Sequence, residues 1–217
     1  MSFYRKNWYY IGGIIFVVLS FVIGFFGGDI DPIRKILLLS FMALLVHQFE
    51  EYALPGGFPP VWNIAISGEK NVPDRYPLNK QSSLFVNTFL AYTFYVLPII
   101  FPKWYWLGIM TMAFGFAQFI IHGIIINIKL KSFYNPGLAA VIFLHIPIGI
   151  YYLWYLHTNN SVDSWHWWVG ICGLPIAAVL IVQVPLIIFK DKNSPYPWTK
   201  AEMDRFSVIE KLEKIKD

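Results

Sequence analysis

Six apolar runs recur along this chain, at about 8–26, 33–50, 84–101, 104–128, 136–157 and 166–189. Each is close to the roughly 20 residues that a helix needs to cross a bilayer. In lipid every backbone N–H and C=O must find its partner within the protein, so runs of this length cross as helices. The expected fold is therefore all-α, a polytopic membrane helix bundle with about six transmembrane helices. Composition agrees: 14% of the residues are charged, against about 25% in a soluble domain. Nine Trp and thirteen Tyr suit a chain with two membrane–water interfaces. The first run has too long an apolar core for a signal peptide and no small-residue cleavage site after it, so it reads as a retained span.

An even number of spans puts both termini on one side. The terminal side carries fourteen Lys and Arg, including Arg5, Lys6, Lys70, Arg75, Lys129 and Lys131, whereas the other carries three, Arg34, Lys35 and Lys103. The positive-inside rule then makes both termini cytoplasmic, with the plasma (cytoplasmic) membrane as the expected location. Residues 1–190 read as one transmembrane domain and 191–217 as a cytoplasmic tail. In the tail, "TKAE" (199–202) is a capping box. Met203, Phe206, Ile209 and Leu212 form an apolar stripe, which predicts an amphipathic interfacial helix. The 52–83 segment, with "LPGGFPPVWN" and "VPDRYPLN", reads as a connector or a lid. The net charge of +4 comes with no basic stripe or stacking platform, so the expected partner is the lipid bilayer and no nucleic acid. The single cysteine, Cys172, excludes an intramolecular disulfide and any Cys-based metal site.

Ionisable side chains within a span cost about 2.5–3.5 kcal/mol on insertion scales, so those present are functional candidates. They share a depth. His47, Glu50 and Glu51 end the second run on the terminal side, and Asn87 enters the third from that side. His122 is about 9 Å in, with Gln118 one turn deeper, and His145 is roughly 12–14 Å in, at ~1.5 Å per residue. His47 and Glu51 lie on one helix face and can ligate one ion, with Glu50 left over as a general base. His122 offers a second nitrogen and His145 a further one. His157 and His166 sit on the far side among interfacial aromatics and are assigned no chemistry.

"HQFEEY" (47–52) followed by "PGGF" resembles the HXXEE-motif family of small integral membrane proteins, over roughly 30–155. Members are similar in carrying a second motif, Asn-Ala-x-x-His, in a later span. Here that span reads "QFIIH" (118–122), keeping His122 while Gln118 stands for the Asn. Tyr134 and the "NPG" at 135–137 also resemble the family's entry to its fifth span. The resemblance implies a membrane-embedded enzyme and names no substrate.

The expected function is a metal-dependent membrane enzyme acting on a lipid or amphiphile at the cytoplasmic leaflet, by hydrolysis or transfer at an ester or phosphate. His47, Glu51, His122 and His145 would hold a divalent ion. Imidazole with carboxylate suits zinc first, then iron or manganese. Glu50 would be the catalytic base, with Asn87, Gln118 and Tyr134 as polar support for the substrate. A small-solute or proton transporter using the same His/Glu cluster is the alternative. Against it stand the apolar far halves of the spans and the lack of an internal repeat. A metal-free acid–base pair of Glu50 and His122 is a third arrangement.

Overall fold

The computed structural model describes residues 2–159 and 162–214, and no strand occurs among them. Six helices are long and apolar enough to cross a membrane: α1 (Ser2–Phe26), α2 (Pro32–Tyr52), α4 (Lys80–Ile100), α5 (Tyr105–Leu130), α6 (Leu138–Asn159) and α7 (Ser164–Phe189). Between α2 and α4 lies α3 (58–66), and two short helices, α8 (Lys200–Met203) and α9 (Val208–Lys214), come after α7. The spans are 21 to 26 residues long, which at ~1.5 Å per residue exceeds a hydrocarbon core of about 30 Å.

The central span is α2, with 61% of its most apolar window buried, against 11% for the peripheral α1. It opens on Asp31, whose carboxylate accepts from the Arg34 amide at 3.0 Å, and on Pro32 in the first turn, where a missing N–H does no harm. The helix runs through His47, Glu50 and Glu51, so the polar string occupies its last two turns. Several spans begin earlier than their apolar runs. Thus α4 starts at Lys80 because Asn79 caps it, accepting from the Gln81 and Ser82 amides at 2.9 and 3.0 Å.

Four spans widen into π-helical turns at one level of the bundle: Phe85–Leu90, Phe119–Ile126, Val141–His145 and Val179–Gln183. All lie within about eleven residues of the bundle end that carries the chain termini, or ~16 Å. An extra residue per turn re-aims every side chain beyond it, and such turns concentrate at functional sites.

The terminal end is covered by the 53–79 segment and the tail. Asn63, fully buried, donates to the Pro73 and Leu78 carbonyls and accepts from the Leu78 amide, at 2.7–2.9 Å. Trp198 donates from its indole to the Leu78 carbonyl at 3.0 Å, and Arg205 donates to the Tyr52 carbonyl. The single interfacial helix expected for the tail is replaced by a broken one. Phe206 takes a left-handed φ of 59° between α8 and α9. Met203 and Val208 are buried in a cluster with Trp8, Tyr52 and Phe58. Of the stripe, Met203 is buried against these aromatics, and Phe206, Ile209 and Leu212 are half-buried beside them.

Lys80 and Glu202 fasten the tail through a 2.7 Å ion pair whose side chains are 8% and 12% exposed. Burial alone would raise the Glu202 carboxyl pKa, but Lys80 and the donors of Thr199 outweigh it and hold it below its usual range. A depressed carboxyl pKa stabilises the docked tail above the usual carboxylate range and loses that effect as pH falls through the folded value. Glu202→Gln is expected to weaken docking by about 1–3 kcal/mol. Amide exchange over 199–214 should accelerate while α2 stays protected, and acidifying the native protein should do the same.

Candidate metal centre

His47 and Glu51 stand one turn apart on α2, and His122 projects from the π-helical turn of α5. Glu51 Oε1 lies 3.5 Å from His47 Nε2 and 3.4 Å from His122 Nε2. The three atoms fall within 4.8 Å of one another, and the residues are 3%, 5% and 1% exposed in the order His47, Glu51, His122. A charge-assisted N–H···O bond closes to about 2.7–2.9 Å, so both contacts are long for ion pairs. Ligands ~2.1 Å from a tetrahedral ion stand about 3.4 Å apart, which is the spacing of Glu51 Oε1 from both imidazole nitrogens.

The other nitrogen of each ring is committed. His47 Nδ1 is 3.1 Å from the Gly137 carbonyl, which can only accept, so Nδ1 carries the proton. His122 Nδ1 lies 2.8 Å from Asn135 Oδ1. That atom is the oxygen because Asn135 Nδ2 donates to the His122 carbonyl and to Asn127 Oδ1, both at 2.7 Å. Asn127 is oriented in turn by donating to the Gly123 and Phe133 carbonyls, at 3.3 and 3.2 Å. In the neutral rings both Nε2 lone pairs therefore face Glu51, the form that binds a metal.

Gly137 makes this approach possible. Its φ of +103° is left-handed, and a Cβ there would sit 2.6 Å from His122 Cε1 and 2.9 Å from His47 Cε1. Glycine alone satisfies both the conformation and the space.

Glu50, expected as a general base, points elsewhere. Its carboxylate accepts from the Tyr134 hydroxyl at 2.7 Å and from the Ala139 and Ala140 amides at 3.1 and 2.8 Å. Those amides are free donors of the first turn of α6. A carboxylate at the C-terminus of α2 is disfavoured by that helix's dipole and compensated by the opposite dipole of α6. Tyr134 is thus a support for Glu50 rather than for a substrate, and burial together with the Glu50 charge pushes its phenol well above the usual range. His145, expected as a further ligand, stands with its ring centroid 5.6 Å from that of His47, at 79°. It lies outside the converging group, and its buried Nε2 has no hydrogen-bond partner.

A family model described as a protein of unknown function with HXXEE motif matches residues 38–152, just over half of the chain. The chain belongs to this family. No curated protein and no solved structure matches it. The HXXEE motif here divides into two jobs: His47 and Glu51 converge with His122, while Glu50 holds the start of α6.

A cavity of about 460 Å³ opens from the cluster between α4, α5 and α7, within the usual range of small-ligand sites. Asn87 and Gln118, both anticipated, line it, and so does Gln183, which was not. Asn87 accepts from Gln48 Nε2 at 3.2 Å and donates to the Ser83 carbonyl at 2.9 Å. The 53–79 segment forms the roof: Phe58 stacks on His122 with ring centroids 5.7 Å apart and an interplanar angle of 27°, and Trp62 joins the lining. In the sequence Asn135 and Gly137 stand out only as part of a helix-entry string, and a turn residue one step before an apolar run is their sole signal.

Gly137→Ala is expected to destabilise the protein by about 2–4 kcal/mol through strain and overpacking. Thermal unfolding in detergent measures it. Gly24→Ala, where a Cβ meets nothing within 4 Å, should not lower stability.

Proposed function

We propose that this chain is a membrane-embedded, metal-dependent enzyme acting on a lipid or amphiphilic substrate by hydrolysis or transfer. His47, Glu51 and His122 would hold the divalent ion, zinc in the first instance. One observation carries the proposal: three buried ligand atoms converge within 4.8 Å, each imidazole nitrogen at about tetrahedral spacing from Glu51, with both rings held in the ligating tautomer. A buried carboxylate between two neutral rings lacks a counter-charge, and a cation supplies it. The excess of Lys and Arg on the terminal side supports a site at the cytoplasmic leaflet of the plasma membrane.

When bound, a divalent ion supplies Lewis acidity to a carbonyl or phosphoryl oxygen and to water. Asn87, Gln118 and Gln183 orient the polar end of the substrate. Phe58, Trp62 and Tyr52 keep bulk water from the cluster. With Glu50 occupied at α6, proton acceptance falls to Glu51 Oε2, since its contacts to the imidazoles use Oε1. Conduction across the membrane is disfavoured by the far half of the bundle, where Ile36, Leu37, Ile109, Met112, Tyr152 and Leu156 pack as a buried apolar cluster.

Zinc titration of the purified chain tests the proposal. One equivalent is expected, abolished by His47→Ala, Glu51→Ala or His122→Ala. His145→Ala should retain it, whereas Glu50→Gln, which leaves one acceptor for the amides of α6 in place of two, should weaken it without abolishing it. Asn135→Ala should weaken binding by about 10–100-fold, as expected for an outer partner of a ligand. A native protein that takes up no divalent ion, or a His122→Ala variant that binds as tightly, would overturn the assignment.

A further inference from the structure

We infer that the substrate is a single long hydrocarbon chain with an uncharged polar head, drawn sideways from the membrane at the seam of α5 and α7. As a statement about the substrate this rests on the metal-dependent reading above and narrows it.

A second cavity, of about 330 Å³, lies along the same seam and is lined entirely by apolar and aromatic side chains, Ile109, Ala113 and Trp167 among them. Three residues, Ala117, Ile120 and Leu174, line both cavities, so the two adjoin along the seam and together offer the path of one groove. Along α5 the groove runs from His122 to Ile109, about 20 Å at ~1.5 Å per residue. That exceeds half of a ~30 Å hydrocarbon core, which is the reach of one lipid chain in one leaflet. A chain that occupies both cavities would pass these three side chains, a boundary that suits one chain better than two.

The mouth faces lipid rather than water. Ile120 and Val179 line the first cavity and are 54% and 50% exposed on the flank of the bundle, whereas the terminal end is roofed. Entry from the acyl region is therefore open.

The head end is short of positive charge. Among the described residues no Lys or Arg lines either cavity, and the only carboxylate is that of Glu51. Lys80, at the start of α4, is already paired with Glu202 at 2.7 Å. With the proposed divalent ion on Glu51 the cluster carries a net charge of +1, so a phosphate monoester dianion would bring the dry site to −1 with no cationic side chain to answer it, a costly arrangement. The amides of Asn87, Gln118 and Gln183 instead match a hydroxyl, ester or amide carbonyl. The groove thus selects a fatty alcohol, ester or amide over a long-chain phosphate monoester.

The test uses the full chain, loaded with zinc, in phosphatidylcholine nanodiscs. The probe is hexadecanol carrying a diazirine at its methyl end, photolysed and mapped by mass spectrometry. Labels are expected around Ile109, Ala113 and Trp167, and a dodecanol analogue should move them toward Ala117. Unlabelled hexadecanol should displace the probe at roughly tenfold lower concentration than octanol or hexadecyl phosphate. Ala117→Phe should reduce labelling of Ile109 and Ala113 about tenfold while leaving zinc content at one per chain. Leu174→Phe, on the opposite wall, repeats the test should the first variant fold poorly. Labelling that does not saturate, or hexadecyl phosphate displacing as well as hexadecanol, would overturn the inference. Zinc content of the same samples separates the two proposals. Saturable seam labelling without bound zinc sinks the metal assignment alone, and one zinc per chain without seam labelling sinks this inference alone.

Discussion

The meeting of the last turn of α2 with the first turn of α6, through the Glu50 carboxylate, underlies the whole site. A helix N-terminus presents amides that nothing within its own helix can satisfy, and within a membrane water is not at hand to do so. Glu50 takes two of them, at Ala139 and Ala140, together with the Tyr134 hydroxyl. The contact fixes where α6 begins, and the residues just before that point do the chemical positioning. Gly137 turns its carbonyl to His47, and Asn135 turns its amide oxygen to His122. The tautomer of both imidazoles thus depends on a carboxylate that touches neither ring.

Two adjacent glutamates can serve both ends because neighbours on a helix diverge by about 100°. Glu50 faces α6 while Glu51 faces the cavity, so the pair is one structural acid and one site acid rather than a dyad. The π-helical turns complete the arrangement. In α5 the turn spans Phe119–Ile126 and carries His122 inward, while Gln118, just before it, lines the cavity. In α7 the turn ends at Gln183, which joins the same lining.

The bundle was legible because roughly 20 apolar residues in succession have one stable arrangement in lipid. The depth of the polar groups was legible as well, since depth depends on residue count alone. Azimuth was not. Glu50 and Glu51 at i+3 and i+4 both neighbour His47, and only the arrival of α6 decides between them. His145 lies at a suitable depth, yet it closes a π-helical turn whose extra residue rotates the side chains beyond it by about 100°. A 3.6-residue period cannot anticipate that. The tail shows the same divide: the stripe through Met203 and Leu212 is visible in sequence, whereas the break at Phe206 is made by packing. A Cβ at Gly57 would lie 2.6 Å from the Arg205 carbonyl and 3.1 Å from Phe206 Cβ, so chain and roof fit only with glycine there.

Roof and tail also set the electrostatics of the site. Phe58 and Trp62 lie over the cluster, and Arg205 and the Lys80–Glu202 pair hold the tail against the roof. Charges interact more strongly as the surrounding dielectric falls. The same exclusion of water that makes an unpaired Glu51 unfavourable therefore strengthens its attraction for a cation. In the proposed metal-bound state, ion binding and closure of the roof reinforce each other, because ligands assembled by folding return their binding free energy to the folded state. The groove proposed between α5 and α7 would then be the way in that leaves the roof shut, and would reconcile a buried, water-poor centre with access for the proposed amphiphilic substrate.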